Sequence, residues 1–111
     1  MYLQHILDEI EYLSSLRPSI TYEDLLNDRT TEHAVTRSLE IIGEAAKNVP
    51  DTIKTANPKI PWKFMDGIRD KIIHGYFAIN YEIVWDVIQN KLPELEPEIR
   101  SLCDLMRGNE Q

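Results

Sequence analysis

From Leu3 onward, apolar residues recur at Leu3, Ile6, Leu7, Ile10, Leu13 and Leu16, while Asp8, Glu9 and Glu11 fall off that stripe. A repeat of three to four residues predicts an amphipathic helix, and Pro18 sets its end. Thr21 is placed to cap a short turn through Leu26, with Glu23 and Asp24 in the first turn where the helix dipole favours anions. Asn27 to Thr30 then breaks the chain. A second long helix is predicted from about Thr31 to Asn48, with Val35, Leu39, Ile42, Ala45, Ala46 and Val49 on one face and Pro50 as its stop. Gly43 inside it costs about 1 kcal/mol relative to alanine, which either a close approach of another helix or simple tolerance would explain. Asp51 to Ala56 can add a turn or two before two prolines impose an extended link from Asn57 to Pro61.

Pro61 suits the first turn of a third helix that turns Trp62, Met65, Ile68 and Ile72 inward, with Tyr76 in line beyond them and Gly75 as a left-handed terminator. Asn80 is an expected N-cap for a fourth helix, striped by Val84, Val87, Ile88, Leu92, Leu95, Ile99, Leu102 and Met106 and kinked at Pro93 and Pro97. No strand-like alternation stands out. The expectation is an all-α fold: a four-helix up-and-down bundle with short extra helical turns and a Pro-kinked last helix, one domain over residues 1–111.

Composition narrows the function classes. The chain has 111 residues, 42% hydrophobic and 28% charged, a globular balance rather than that of a disordered chain. No apolar run reaches bilayer length and the first residues lack a basic stretch leading into an apolar one, so a cytoplasmic protein with no membrane contact is expected. Cys103 is the one cysteine and reads as apolar filler on a helix rather than a reactive thiol. His5 and His33 have no partner at ligand spacing, and the Glu40/Glu44 pair lacks a Glu-x-x-His companion, so no metal and no cofactor are expected. Glu40 and Glu44 read as a solvated or Arg37-paired face, and Glu94, Glu96 and Glu98 as solubilising charge.

The net charge of −7 argues against nucleic-acid binding over the whole surface, because phosphate contacts need a cationic footprint. Between Lys59 and Gly75, however, Lys59, Lys63, Arg69 and Lys71 outnumber Asp66 and Asp70. That segment is an electropositive island, and it contains Arg69-Asp70-Lys71-Ile72-Ile73-His74-Gly75-Tyr76.

An arginine, four residues, a histidine, one residue and a tyrosine resemble the signature of the HEPN superfamily in its HepT-type toxin branch. Arg37 to Ala45, Ile60-Pro61-Trp62, His74-Gly75-Tyr76-Phe77 and Val84-Trp85 resemble that branch as well, so the likeness covers most of the chain. The resemblance implies a helical bundle that forms a homodimer, able to join a larger hetero-oligomer. It also implies endoribonuclease activity as the toxin of a type VII-like toxin–antitoxin pair. The implied partner is a nucleotidyltransferase antitoxin that neutralises the toxin by transferring AMP to the motif tyrosine, here Tyr76.

The residues permit that chemistry. RNA carries a 2′-hydroxyl beside each phosphodiester, so a base that removes its proton starts an internal attack on phosphorus without a metal. His74 is a suitable base, and Arg69 a forked cation for the developing phosphorane charge. Asp70 and Lys71 are supporting candidates, Asp70 by orienting Arg69, Lys71 or His74. On an ideal helix Arg69 and His74 stand roughly 140° apart, so completing a site calls for unwinding at Gly75, a two-fold mate, or both. Tyr76 would return to the face of Arg69 if the helix persisted, and an AMP there would set an anion against the guanidinium. The alternative is a non-catalytic helical module that docks a nucleotidyltransferase, which the acidic surface would suit.

Overall fold

The structure, a computed structural model, describes residues 2–74 and 78–110, with the side chains of His74, Asn109 and Glu110 excepted. The stripe that begins at Leu3 forms α1 (Tyr2–Leu16), which buries Leu3, Ile6, Leu7, Ile10 and Leu13. A 3₁₀ turn with Pro18 inside it (Arg17–Ser19) ends the helix. The short α2 (Tyr22–Asn27) opens on a complete capping box. Thr21 Oγ1 accepts from the Asp24 amide at 3.1 Å, and the Asp24 carboxylate accepts from the Thr21 amide at 2.9 Å.

Asp28 does not merely break the chain. Its carboxylate caps α3 (Arg29–Lys47) by accepting from the Thr30 amide at 3.1 Å, so the long helix starts two residues earlier than the apolar stripe indicated. α3 lies against α1 and buries Val35, Leu39, Ile42, Ala45 and Ala46. Between the two helices, buried Ser38 donates from its hydroxyl to the Glu9 carboxylate at 2.8 Å. A buried hydroxyl would otherwise carry an unpaired desolvation cost.

α4 (Asp51–Ala56) buries no residue fully. The expected third helix is present in two pieces, α5 (Trp62–Asp66) and α6 (Ile68–Ile72), divided at Gly67, whose φ of −99° and ψ of 12° leave the helical basin. Between them these pieces bury Trp62, Met65, Ile68 and Ile72, and the Trp62 indole donates to the Asn57 carbonyl at 3.0 Å. Gly43 of α3 faces this pair: a Cβ built there would stand 2.8 Å from the Ile68 Cγ2 methyl and 3.4 Å from the Met65 carbonyl oxygen. Close approach of another helix is therefore the reason for glycine at that position.

After Ile72 the chain does not remain helical. Ile73 adopts φ −111° and ψ 121°, and a two-stranded antiparallel ribbon follows: β1 (Ile73–His74) with β2 (Ala78–Ile79), pairing Ile73 with Ile79 and His74 with Ala78. The Asn80 amide donates to the Ile72 carbonyl at 2.7 Å and ties the base of the ribbon to the end of α6. No alternation in the sequence announced this ribbon, because two residues per strand are too few to show a period. The position assigned to Gly75 as terminator lies outside the described residues.

Asn80 caps α7 (Tyr81–Asp86) by accepting from the Ile83 amide at 3.1 Å. α7 passes into a π turn over Val87–Lys91, where the Leu92 amide donates to the Val87 carbonyl, five residues back. α8 (Leu92–Glu110) then continues through Pro93 and Pro97. The irregularity expected at the prolines thus sits one turn ahead of Pro93, where widening spares the proline ring a clash with the preceding turn.

The long helices α1, α3 and α8, joined by α7 and the α5–α6 pair, surround a single apolar cluster. The architecture is all-α. Its helices are more numerous than four, because the third and fourth elements of the expected bundle are each interrupted.

Candidate functional site

Ile68 and Ile72 anchor α6 in the core, so Arg69 and Lys71 emerge on opposite flanks of the helix and Asp70 on its outer crest. The Arg69 side chain is 58% exposed and inclines toward α3, where its Nε lies 3.9 Å from Glu40 Oε2. The same Glu40 oxygen is 4.0 Å from Arg37 Nη1. One carboxylate thus lies between two guanidiniums. An exposed pair at this separation contributes between about 0 and 1 kcal/mol, so Arg69 is held loosely.

Lys71 turns the other way, its ammonium 5.7 Å from the centre of the Phe64 ring. Asp70 is exposed on the crest of α6, and among the described residues no hydrogen bond or ion pair joins it to Arg69 or Lys71. Asp66 is engaged elsewhere. Its carboxylate receives Lys54 Nζ at 3.1 Å, and that lysine also lies 6.0 Å from the Trp62 ring centre. With Asp66 neutralised from outside the segment, the island around α5 and α6 is more cationic than its own sequence count indicates.

His74 is the second residue of β1, paired through its backbone position with Ala78. The ideal-helix angle between Arg69 and His74 does not apply, since the helix ends at Ile72 and the backbone turns extended before His74. The two residues are carried on adjoining elements of different type. The expectation that Tyr76 returns to the Arg69 face required a helix that persists, and α6 stops four residues before it. Tyr76 itself lies outside the described residues.

Glu40 was read from sequence as part of a solvated or Arg37-paired face. The Arg37 pairing is present, but its approach to Arg69 joins α3 to α6, and only the i, i+3 part of that arrangement is visible along one helix. Cys103 is buried, and burial pushes its thiol up from the ordinary value, as expected of an inert core cysteine. Glu96 is more than solubilising charge. It accepts from Ser14 Oγ at 2.7 Å and from Arg100 at 3.1 Å, tying α8 to α1, and the Ser14 hydrogen bond holds its carboxyl below the usual value.

Comparison with known proteins adds to this geometry. The model of a family described as ribonuclease HepT-like matches residues 6–102. The chain belongs to the ribonuclease HepT-like family. Its membership makes it a ribonuclease, in agreement with the resemblance drawn from the Arg69–Tyr76 motif. A relative from Caldanaerobacter subterraneus subsp. tengcongensis, named as a candidate RNase, is 46% identical over 101 residues, covering 91% of this chain and 90% of that protein. Another candidate RNase, from Methanocaldococcus jannaschii, is 41% identical over 110 residues, covering 99% and 91%. A probable ribonuclease HepT of Thermococcus cleftensis is 41% identical over 101 residues, covering 91% and 92%. No solved structure matches the chain significantly. Among the described residues no helix is long and apolar enough to cross a membrane.

Proposed function

We propose that this HepT-like chain is a metal-independent endoribonuclease toxin that cleaves RNA by attack of the 2′-hydroxyl on the adjacent phosphorus. In this reading His74 removes the hydroxyl proton as general base, and Arg69 stabilises the charge that develops on the phosphorane oxygens. The 2′-oxygen bonds to phosphorus as the 5′-oxygen leaves with a proton, giving a cyclic phosphate and a free 5′-hydroxyl. The observation that carries the reading is the placement of Arg69, solvent-facing in the short helix α6 and loosely held by Glu40, one turn before the helix-to-ribbon transition that carries His74.

A homodimer would bring two such motifs together. Tyr76 is the proposed acceptor of AMP from a nucleotidyltransferase antitoxin, and the added phosphate would compete with RNA for the Arg69 guanidinium. The whole of residues 1–111 serves as one domain in this scheme, and the complex with the antitoxin is cytoplasmic. Lys71 is a supporting cation, while Asp70 is left at most a role toward His74.

The test is expression of wild type, His74→Ala and Arg69→Ala alone, with purified protein assayed on RNA in EDTA. Each substitution is expected to lower cleavage at least a hundredfold, in the range for loss of a general base, while the thermal transition stays intact. Cleavage by His74→Ala at the wild-type rate would refute the assignment.

A further inference from the structure

Beside α5, the surface dips into a cleft of about 430 Å³ whose lining includes Lys59, Phe64, Lys91, Glu94, Leu95 and Glu98. Its volume lies within the range of small-ligand sites. The cleft is assembled from three parts of the chain: the link before α5, α5 itself, and the junction of the π turn with α8. Lys91 closes the π turn, so that irregularity sets where the ammonium stands relative to Phe64. Phe64 is half-buried, and Lys71 lies against its ring at 5.7 Å, which links the cleft to the motif helix. Two lysines and two glutamates thus share the cleft with one half-buried aromatic ring, and a third lysine, Lys71, approaches that ring from α6.

Leu95 and Phe64 give the cleft apolar lining, and Lys59 and Lys91 line it as well. This is the composition of a site for a nucleotide, with a base on the ring and the phosphates on either side met by ammonium groups. Arg69 is not among the residues that line the cleft, so a phosphate met by Lys59 and Lys91 is a different one from that met by Arg69. We propose that the cleft is a subsite for single-stranded RNA, taking a nucleotide further along the strand than the scissile bond. The proposal rests on the reading of Arg69 and His74 as the nuclease centre. It extends that reading from the bond cut to the strand held.

Lys59 and Lys91 are exposed, so their replacement leaves the core untouched. Lys59→Gln/Lys91→Gln is compared with its parent in a His74→Ala background, using a fluorescein-labelled RNA of mixed sequence and fluorescence anisotropy across a salt series. Each phosphate contact to a single strand contributes about 0.7 to the slope of log affinity against log salt. The double variant is therefore expected to lower that slope by about 1.4. In the active background, its preference for long RNA over a dinucleotide is expected to fall about tenfold, expressed as the ratio of kcat/KM values. Glu94→Gln/Glu98→Gln is expected to tighten binding, since it removes two charges that repel phosphate.

An unchanged slope together with an unchanged substrate preference overturns the subsite, as does weaker binding by the Glu94→Gln/Glu98→Gln variant. Failure of the underlying reading has a different signature. If His74→Ala cleaves like wild type while the slope still falls, the catalytic assignment is lost and the RNA subsite stands.

Discussion

Replacing Gly43 by alanine tests the contact that sets α3 against the motif helix. The new Cβ would lie 2.8 Å from Ile68 Cγ2, a methyl on a side chain with 0% exposure, and 3.4 Å from the Met65 carbonyl oxygen. Cγ2 is attached directly to the Ile68 Cβ and cannot swing aside as a long side chain would, so α6 must move. Overpacking of this kind costs about 1–3 kcal/mol. Alanine recovers about 1 kcal/mol through its better helix propensity. The expected net effect is a destabilisation of about 1 kcal/mol, which lowers the melting temperature by about 4–8 °C in a domain of roughly this size. Because Ile68 precedes Arg69, the same movement alters the approach of Arg69 to Glu40, and RNA cleavage at a temperature well below the transition is expected to fall too.

Urea unfolding of wild type, Gly43→Ala, Ile68→Leu and the double variant measures the coupling. Leucine lacks the offending methyl on Cβ, so the cost of Gly43→Ala should be smaller in the Ile68→Leu background. A coupling of at least 0.5 kcal/mol is expected for residues in contact. Gly43→Ala at least as stable as wild type, with no coupling to Ile68, would refute the reasoning.

Gly67 offers the opposite outcome. A Cβ there meets only the Lys63 carbonyl oxygen at an ordinary 3.5 Å, and its φ of −99° is open to any residue, so Gly67→Ala should raise stability by about 0.4–1 kcal/mol in the same urea assay. Ser14→Ala removes the main cause of the lowered Glu96 pKa and is expected to cost about 1.5 kcal/mol at pH 7, the low end for hydrogen bonds to a charged group. A depressed carboxyl stabilises the fold above its unfolded value, here 4.5, and loses that contribution as pH falls through the lower folded value. The gap between wild type and Ser14→Ala should therefore narrow below pH 4.5; a gap constant down to pH 3 would show that Glu96 ionisation is not involved.

The long helices were legible because each buries one continuous stripe, and the period of that stripe survives whatever the partner element is. The caps at Thr21 and Asn80 were legible for the same local reason: side chain and amide lie within three residues of each other. What the sequence did not disclose depends on contacts across elements. Glu40 meets Arg69 only when α3 and α6 are packed, and Glu96 meets Ser14 only when α8 lies on α1. The division of the third helix at Gly67 and the ribbon after Ile72 escaped the pattern because each involves too few residues to interrupt an apolar repeat. For the candidate site, the motif named Arg69 and His74, but an ideal helix gave a misleading angle between them.

The π turn at Val87–Lys91 also bears on how the chain tolerates length changes. Five residues between bonded groups, in place of four, mean that one residue is accommodated there without disrupting either flanking helix. Deleting a single residue from this stretch would restore an ordinary turn locally and leave α8 in phase with α7, whereas a deletion that the π turn did not absorb would rotate everything after it by about 100°. In the first case Leu92, Leu95, Ile99 and Leu102 keep their places in the core; in the second they leave it together. A stretch that resembles a small local defect is thus a buffer that takes up one residue of length and keeps the final helix in phase.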